Sequence, residues 1–199
     1  MDDLEDKYAC AELIQSWGLY RDQGKWPELL ATFSPDGQIS VSWFSGAFSE
    51  FVERSRLGFE AGQRSKHQIF PPLVRLAGDR AVAETNVVIL VRQKIGGVLT
   101  DMTSFARFLD RLERTSSAEW RIAERTAIYE RDRLDPVELS ENFEGLFKAS
   151  DLSIYPEAYR YMAARLVAAG RSLAPVIHRD GSPHTAQLYL RYDAWFKEK

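Results

Sequence analysis

The chain has 199 residues, 45% hydrophobic, 12% aromatic and 28% charged, which supplies one sizeable core in a soluble globular protein. A net charge of -3 without any Lys/Arg-rich block excludes the electrostatic footprint of a nucleic-acid binder. One cysteine, Cys10, cannot form an internal disulfide, no Cys/His cluster has zinc spacing, and the acidic start MDDLEDKYAC is unlike a secretory leader. The expectation is a cytoplasmic chain without metal and without membrane or nucleic-acid partners.

Apolar residues at helical spacing from Leu4 to Tyr20, with Gly24 just beyond, predict a first amphipathic helix over 3–22. "KWPELLATF" follows, with Pro27 near a helix start and Trp26, Leu29, Leu30 and Phe33 on one side, and "SPDG" closes it with turn chemistry. From Gln38 the period changes to two, and Ile39, Val41 and Trp43 predict a half-buried strand. "SEFVERSRLGFEAG" returns to helical spacing, with Ser49 as N-cap and Gly62 past the end.

Four strands are then predicted at 66–77, 80–93, 98–113 and 118–132, joined by the turn-rich segments "AGDR", "KIGG" and "RTSSAE", so they form an antiparallel meander. Pro71 and Pro72 interrupt the first of them, which predicts a bend or a sheet edge. Helices packed on one strongly curved antiparallel sheet make an α+β fold. After Pro136 the composition shifts. A helix is expected over 156–169, closed by Gly170, and a final one starting at Ser182 and Pro183 with Leu188, Tyr192, Trp195 and Phe196 on one face. The chain thus divides at 1–135 and 136–199, and the helical extension should pack on the first part or on a neighbouring subunit, because its apolar stripe is too large to leave in water. A homo-oligomer, dimer or trimer, is the expected assembly.

Helix, helix, strand, helix and a four-stranded meander resemble the cone-shaped fold of the nuclear-transport-factor-2-like superfamily. "YRDQGKWPELLATFSPDGQI" resembles its entry segment and "EWRIAERTAIYERD" its last strand. Asp22, His67 in "SKHQIF" and Arg125 in "WRIAERTA" together resemble the SnoaL-like branch that holds scytalone dehydratase, hexachlorocyclohexane dehydrochlorinase and bacterial bile-acid dehydratase. There is no second histidine in "DMTSFARFLDR", and Arg21 and Trp17 stand where two of those enzymes carry tyrosine and lysine.

The resemblance implies that His67 is a base paired with Asp22, and that Arg125 stabilises developing negative charge. An imidazole near neutrality takes and returns protons, and a neighbouring carboxylate fixes its tautomer. Tyr20 is a candidate hydrogen-bond donor to substrate, and Trp17, Trp43, Phe70 and Tyr129 are candidate pocket walls. On the residues alone, His67 reads as a core histidine and Asp22 as a helix C-terminal turn residue; His178 and His184 read as surface residues. The implied activity is a cofactor-independent lyase of dehydratase type acting on a small ring-containing, aromatic or alicyclic substrate. The alternatives are a carbon–carbon lyase or isomerase using the same dyad, and a non-catalytic small-molecule binding module.

Overall fold

The computed structural model describes residues 3–139, 141–147 and 152–198. Helix α1 (Asp3–Gln23) and the short α2 (Trp26–Leu30) lead into strands β1 (Phe33–Val41) and β2 (Phe44–Ala47), then helix α3 (Phe48–Glu60). Strands β3 (Lys66–Ile69), β4 (Leu73–Ala77), β5 (Arg80–Ile95), β6 (Val98–Arg114) and β7 (Trp120–Pro136) follow. A single 3-10 turn (Glu157–Tyr159), helix α4 (Arg160–Ala168), the two-residue β8 (His178–Arg179) and helix α5 (Pro183–Lys197) complete the described chain.

The sheet runs β2-β1-β7-β6-β5-β3, with β4 also on β5 and β8 also on β7. The meander is antiparallel as expected, but β1 and β8 both lie parallel to β7, so the sheet as a whole is mixed. Pro71 and Pro72 split the expected strand 66–77 into β3 and β4, which sit one after the other along the edge of β5. Proline has no amide to give a ladder, so the edge breaks there. The β5–β6 turn is the two-residue loop Gly96–Gly97, both at positive φ (54° and 86°), the conformation a tight hairpin requires.

Three local readings change. Phe33 opens β1 rather than ending α2, and 34–37 bulge out of the β1–β7 ladder between the pairs Phe33–Ile122 and Gln38–Glu124. Trp43 lies in the two-residue turn between β1 and β2, not in a strand, because Val41 pairs with Phe44 across it. α3 begins at Phe48 with Ala47 before it, not at Ser49: the Phe48 ring stacks on Phe33, centroids 3.6 Å apart, and this burial sets the helix start.

The core fills the concave side of the sheet. α1 closes onto β3 through Gly18, where a Cβ would stand 2.6 Å from Ile69 Cδ1 and 3.6 Å from His67 Cβ. Strand β7 carries two bulges, because its register against β6 skips Ala123 and Glu130. Simple alternation from 121 to 129 is therefore broken: Trp120 and Ile122 share the concave side with Ala127 and Tyr129. On the convex side, Leu188, Tyr192 and Trp195 of α5 pack on Val82, Leu109 and Ile128. The helix starts as its sequence dictates, with Ser182 Oγ accepting from the Thr185 amide. α4 goes to the other side, where Met162 and Leu166 enter the concave core.

The Asp132 carboxylate of β7 accepts from the Met162 amide (2.7 Å) in the first turn of α4, a favourable place for negative charge. Burial nevertheless raises its pKa from 3.8 to about 6, against the pull of the Met162 and Tyr161 amides. A carboxyl raised on folding costs stability only where it is ionised, so the cost grows between about pH 4 and 6 and is complete above. Asp132→Asn, which keeps an acceptor without charge, should therefore gain stability over the wild type across that interval and hold the gain at pH 8 in urea titrations.

Deletion of packing in α5 gives a second check. Leu188→Ala should cost about 2–5 kcal/mol of unfolding free energy, as for other buried leucines. Leu190→Ala, at a side chain 70% exposed, should stay within about 0.5 kcal/mol. Equal effects would mean that α5 is not docked.

Candidate active site

The cavity lies on the concave side and has a volume of about 340 Å³. Trp17, Phe51, Ile89 and Phe108 form its apolar wall, and His67 and Tyr129 bring polar groups to it. His67 reaches the cavity because β3 alternates: His67 and Ile69 are half-buried while Lys66 and Gln68 are exposed, and His67 pairs across to Ile89 of β5.

Asp22, in the last turn of α1, holds His67 twice. Its Oδ2 accepts the His67 backbone amide at 2.7 Å and its Oδ1 lies 2.6 Å from His67 Nδ1. With Asp22 Oδ1 accepting a hydrogen bond from Nδ1–H, the neutral ring keeps its proton on Nδ1 and presents Nε2 as the unprotonated nitrogen. Both side chains are largely buried, 10% and 5% exposed. The Trp17 ring meets the imidazole edge-on at 5.4 Å. Burial lowers the His67 pKa; the Asp22 hydrogen bond and charge oppose that shift, and Arg21 and Arg125 add to it.

Tyr129 is fully buried, and its hydroxyl oxygen accepts from the Ser42 amide at 3.0 Å. Burial pushes its pKa up, so the phenol stays protonated and keeps an O–H to donate. Trp43 hangs from its turn at the rim, stacked on Phe51 at 5.1 Å.

Of the eight residues singled out from the sequence, His67, Trp17, Trp43 and Tyr129 line the cavity, and Asp22 stands behind His67. The other three do not line it. Phe70 is 48% exposed, on the same side of the edge as Lys66 and Gln68; a strand alternates, so three positions from His67 points the opposite way. Tyr20 lies on the flank of α1 and packs beside Lys25. Arg125 is wholly buried below the floor: Nε and Nη2 make a two-pronged pair with Asp110 at 2.7 and 2.8 Å, and its guanidinium lies over the rings of Trp17 and Phe108. Neither Glu124 nor Glu130 is its partner. Glu124 binds Arg111 and Arg191, and Glu130 binds Arg107, on the convex side.

The arginines of the cavity escaped the sequence reading. Arg21 lines it in place of its neighbour Tyr20; a signal existed, since Arg21 stands four residues after Trp17 and thus on the same helix face. Arg165 of α4 and Arg171 just after it also line it, and no local pattern announces them. His178 is half-buried in β8 rather than on the surface.

With this geometry in place, comparison with known proteins settles the family. The sequence model of the SnoaL-like domain matches residues 2–126, more than half of the chain. The chain belongs to the SnoaL-like family. Among relatives, it is similar to pea pathogenicity protein 2 of Fusarium vanettenii, 28% identical over 165 residues, covering 79% of this chain and 68% of that protein. An uncharacterised Aspergillus terreus protein is 25% identical over 174 residues, covering 79% and 64%. Two solved structures share the SnoaL-like fold. A putative scytalone dehydratase from Novosphingobium aromaticivorans has a TM-score of 0.55 at 14% identity, covering 69% of this chain and 91% of that one. A hexachlorocyclohexane dehydrochlorinase has a TM-score of 0.57 at 12% identity, covering 68% and 90%. Among the described residues of this SnoaL-like chain, no three His, Cys, Asp or Glu side chains are grouped to hold a metal ion, and no helix is long and apolar enough to cross a membrane.

The Asp22–His67 pair carries a prediction with a definite sign. Because burial disfavours the imidazolium, His67 should titrate below the ordinary 6.5 when followed by the NMR shift of its ring protons. Asp22→Asn removes the group that opposes burial, so the pKa should fall further. The stability that the neutral ring contributes is present above pH 6.5 and is lost as pH falls through the lowered pKa. A His67 pKa that rises in Asp22→Asn would contradict the pairing.

Proposed function

We propose that this chain is a cofactor-independent lyase that eliminates water from a small ring-containing substrate, with His67 as base and Asp22 as the residue that positions it. One observation carries the reading: a histidine whose Nδ1 is taken by a buried carboxylate stands at the wall of a 340 Å³ cavity. An apolar wall of Trp17, Phe51 and Phe108 suits the flat face of a ring.

In the proposed step His67 Nε2 removes the proton from the carbon next to a carbonyl. The C–H electron pair becomes the C=C bond as the C–O bond on the next carbon breaks. The imidazolium returns its proton to the departing hydroxyl, which leaves as water. The protonated Tyr129 hydroxyl donates to the oxygen on which charge develops, the role given from sequence to Arg125 and Tyr20. Arg125, engaged by Asp110, instead sets the positive potential beneath Trp17. If the imidazolium returned its proton to a different carbon, the same pair would act as an isomerase, so proton removal is the step to test.

The test is hydrogen–deuterium exchange at the carbon next to the carbonyl, followed by NMR in D2O, over a panel of β-hydroxy cyclic ketones with and without a carboxylate. The wild type should exchange and then eliminate. His67→Gln, with unchanged circular dichroism, should lose about 10²-fold or more, and Asp22→Asn should fall in the same direction. Equal rates in the wild type and His67→Gln would leave a binding module as the reading.

A further inference from the structure

The charged side chains that line the cavity are all arginines, with Asp22 held behind His67. Six arginines line it, Arg21, Arg54, Arg64, Arg92, Arg165 and Arg171, and among the described residues no aspartate or glutamate does. Three of the six are already engaged. Arg54 is paired with Glu50 and Arg92 with Asp101, and Arg64 donates to the Phe59 and Gln63 carbonyls while lying over the Phe59 ring.

The other three form no ion pair with a carboxylate among the described residues, although Arg21 feels the charge of Asp22, which is itself held by His67, and they come to the cavity from different elements: Arg21 from α1, Arg165 from α4 and Arg171 from the segment after it. Arg165 donates only to neutral groups, Gln93 Oε1 at 2.9 Å and Met162 Sδ at 3.6 Å, and its Nε is buried without any partner. Arg171 lies over the Trp43 ring at 4.6 Å and makes one long contact, 3.4 Å, to Gln63 Oε1. Arg21 lies at 5.8 Å from the Trp26 ring centroid.

Burial lowers the pKa of all three, to about 10 for Arg21 and for Arg165; the charge of Arg171 adds to the shift of the other two, while Asp22 opposes it at Arg21 and Tyr129 opposes it at Arg165. Three buried guanidiniums, two of them repelled by the third, are costly without a counter-charge, and a bound anion relieves that cost. The planar fork of donors matches a carboxylate two-pronged, whereas a neutral carbonyl could use only part of it.

We infer that the ligand of this cavity is a ring-bearing carboxylic acid, bound as its anion, with the ring on Trp17, Phe51 and Phe108 and the carboxylate held by Arg21, Arg165 and Arg171. As a statement about substrate it rests on the lyase reading; as a statement about binding it stands alone. Two of the three arginines lie beyond residues 2–126, the part matched by the family, so this selectivity is a property that the C-terminal segment adds to the SnoaL-like site.

The experiment titrates the protein, in the inactive His67→Gln form as well as the wild type, with cyclohexanecarboxylate, its neutral isostere cyclohexanecarboxamide and inorganic phosphate, read by calorimetry and by the fluorescence of Trp17 and Trp43. The carboxylate should bind at least about tenfold tighter than the amide. That preference should vanish in Arg165→Gln and Arg171→Gln and survive in Arg133→Gln, which removes one exposed charge that is paired with Asp135 and does not line the cavity. Circular dichroism and the undiminished binding of the amide establish that the two cavity variants are folded. Equal affinity of acid and amide in the wild type would overturn the inference, as would inorganic phosphate binding as tightly as the ring acid or a preference unaltered by Arg165→Gln and Arg171→Gln. A carboxylate preference without any proton exchange would sink the lyase reading alone; exchange without the preference would sink this one alone.

Discussion

The Asp22 carboxylate joins the end of α1 to the first residues of the meander, and the rest of the site is arranged around that junction. It accepts both the backbone amide and the ring nitrogen of His67, so one side chain fixes the strand position and the imidazole tautomer together. Lys66 adds only a 3.6 Å contact from an exposed ammonium, which is worth little in water. The junction forms only because α1 can approach β3 closely, and Gly18 permits this by leaving the space that Ile69 fills. A glycine inside a helix costs about 1 kcal/mol relative to alanine; here the cost is offset by the geometry it makes possible.

Beneath the junction a second electrostatic unit works differently. Arg125 and Asp110 are both fully buried and bound to each other through two short hydrogen bonds. Burial raises the Asp110 carboxyl while Arg125 pulls it back. Such a pair contributes little net stability compared with apolar side chains, but losing either partner strands a charge in the core. It also places a cation under the aromatic floor, over the rings of Trp17 and Phe108, where it disfavours protonation of His67. The floor therefore helps keep the His67 ring neutral.

The C-terminal segment is divided between the two sides of the sheet. α5 covers apolar residues of β5, β6 and β7 on the convex side, with Arg107, Glu84, Glu130, Asp180 and Tyr189 forming a polar network at its margin. α4 closes the concave side and carries Arg165 to the cavity. Met162 supplies core packing and wall in the same helix turn as the Asp132 contact. Core packing and cavity lining are thus supplied by the same short helix.

Much of this was legible in the sequence because it depends on local periodicity. The helix from Asp3, the meander, the proline break in its first strand and the Ser182 cap follow from spacing, turn chemistry and capping, which neighbours in the chain decide. Asp22 and His67 were legible through their place in a resemblance, and Trp17 through helical spacing. Tertiary structure alone decided the rest. The bulges at Ala123 and Glu130 shift which residues of β7 face inward, and a bulge depends on the partner strand, not on β7's own pattern. The partner of Arg125 is fifteen residues away on a neighbouring strand, and a register difference of two positions would have set it opposite Phe108 or Leu112, neither of which carries a charge. The six arginines of the cavity come from α1, from α3 and the residues after it, from β5, and from α4 and the residues after it, and apart from Arg21 each is locally indistinguishable from the solvated arginines on the outer surface. Only the packing of α1, α3 and α4 around one space makes them a site, because the cost of crowding like charges exists in three dimensions and leaves no mark on the order of residues.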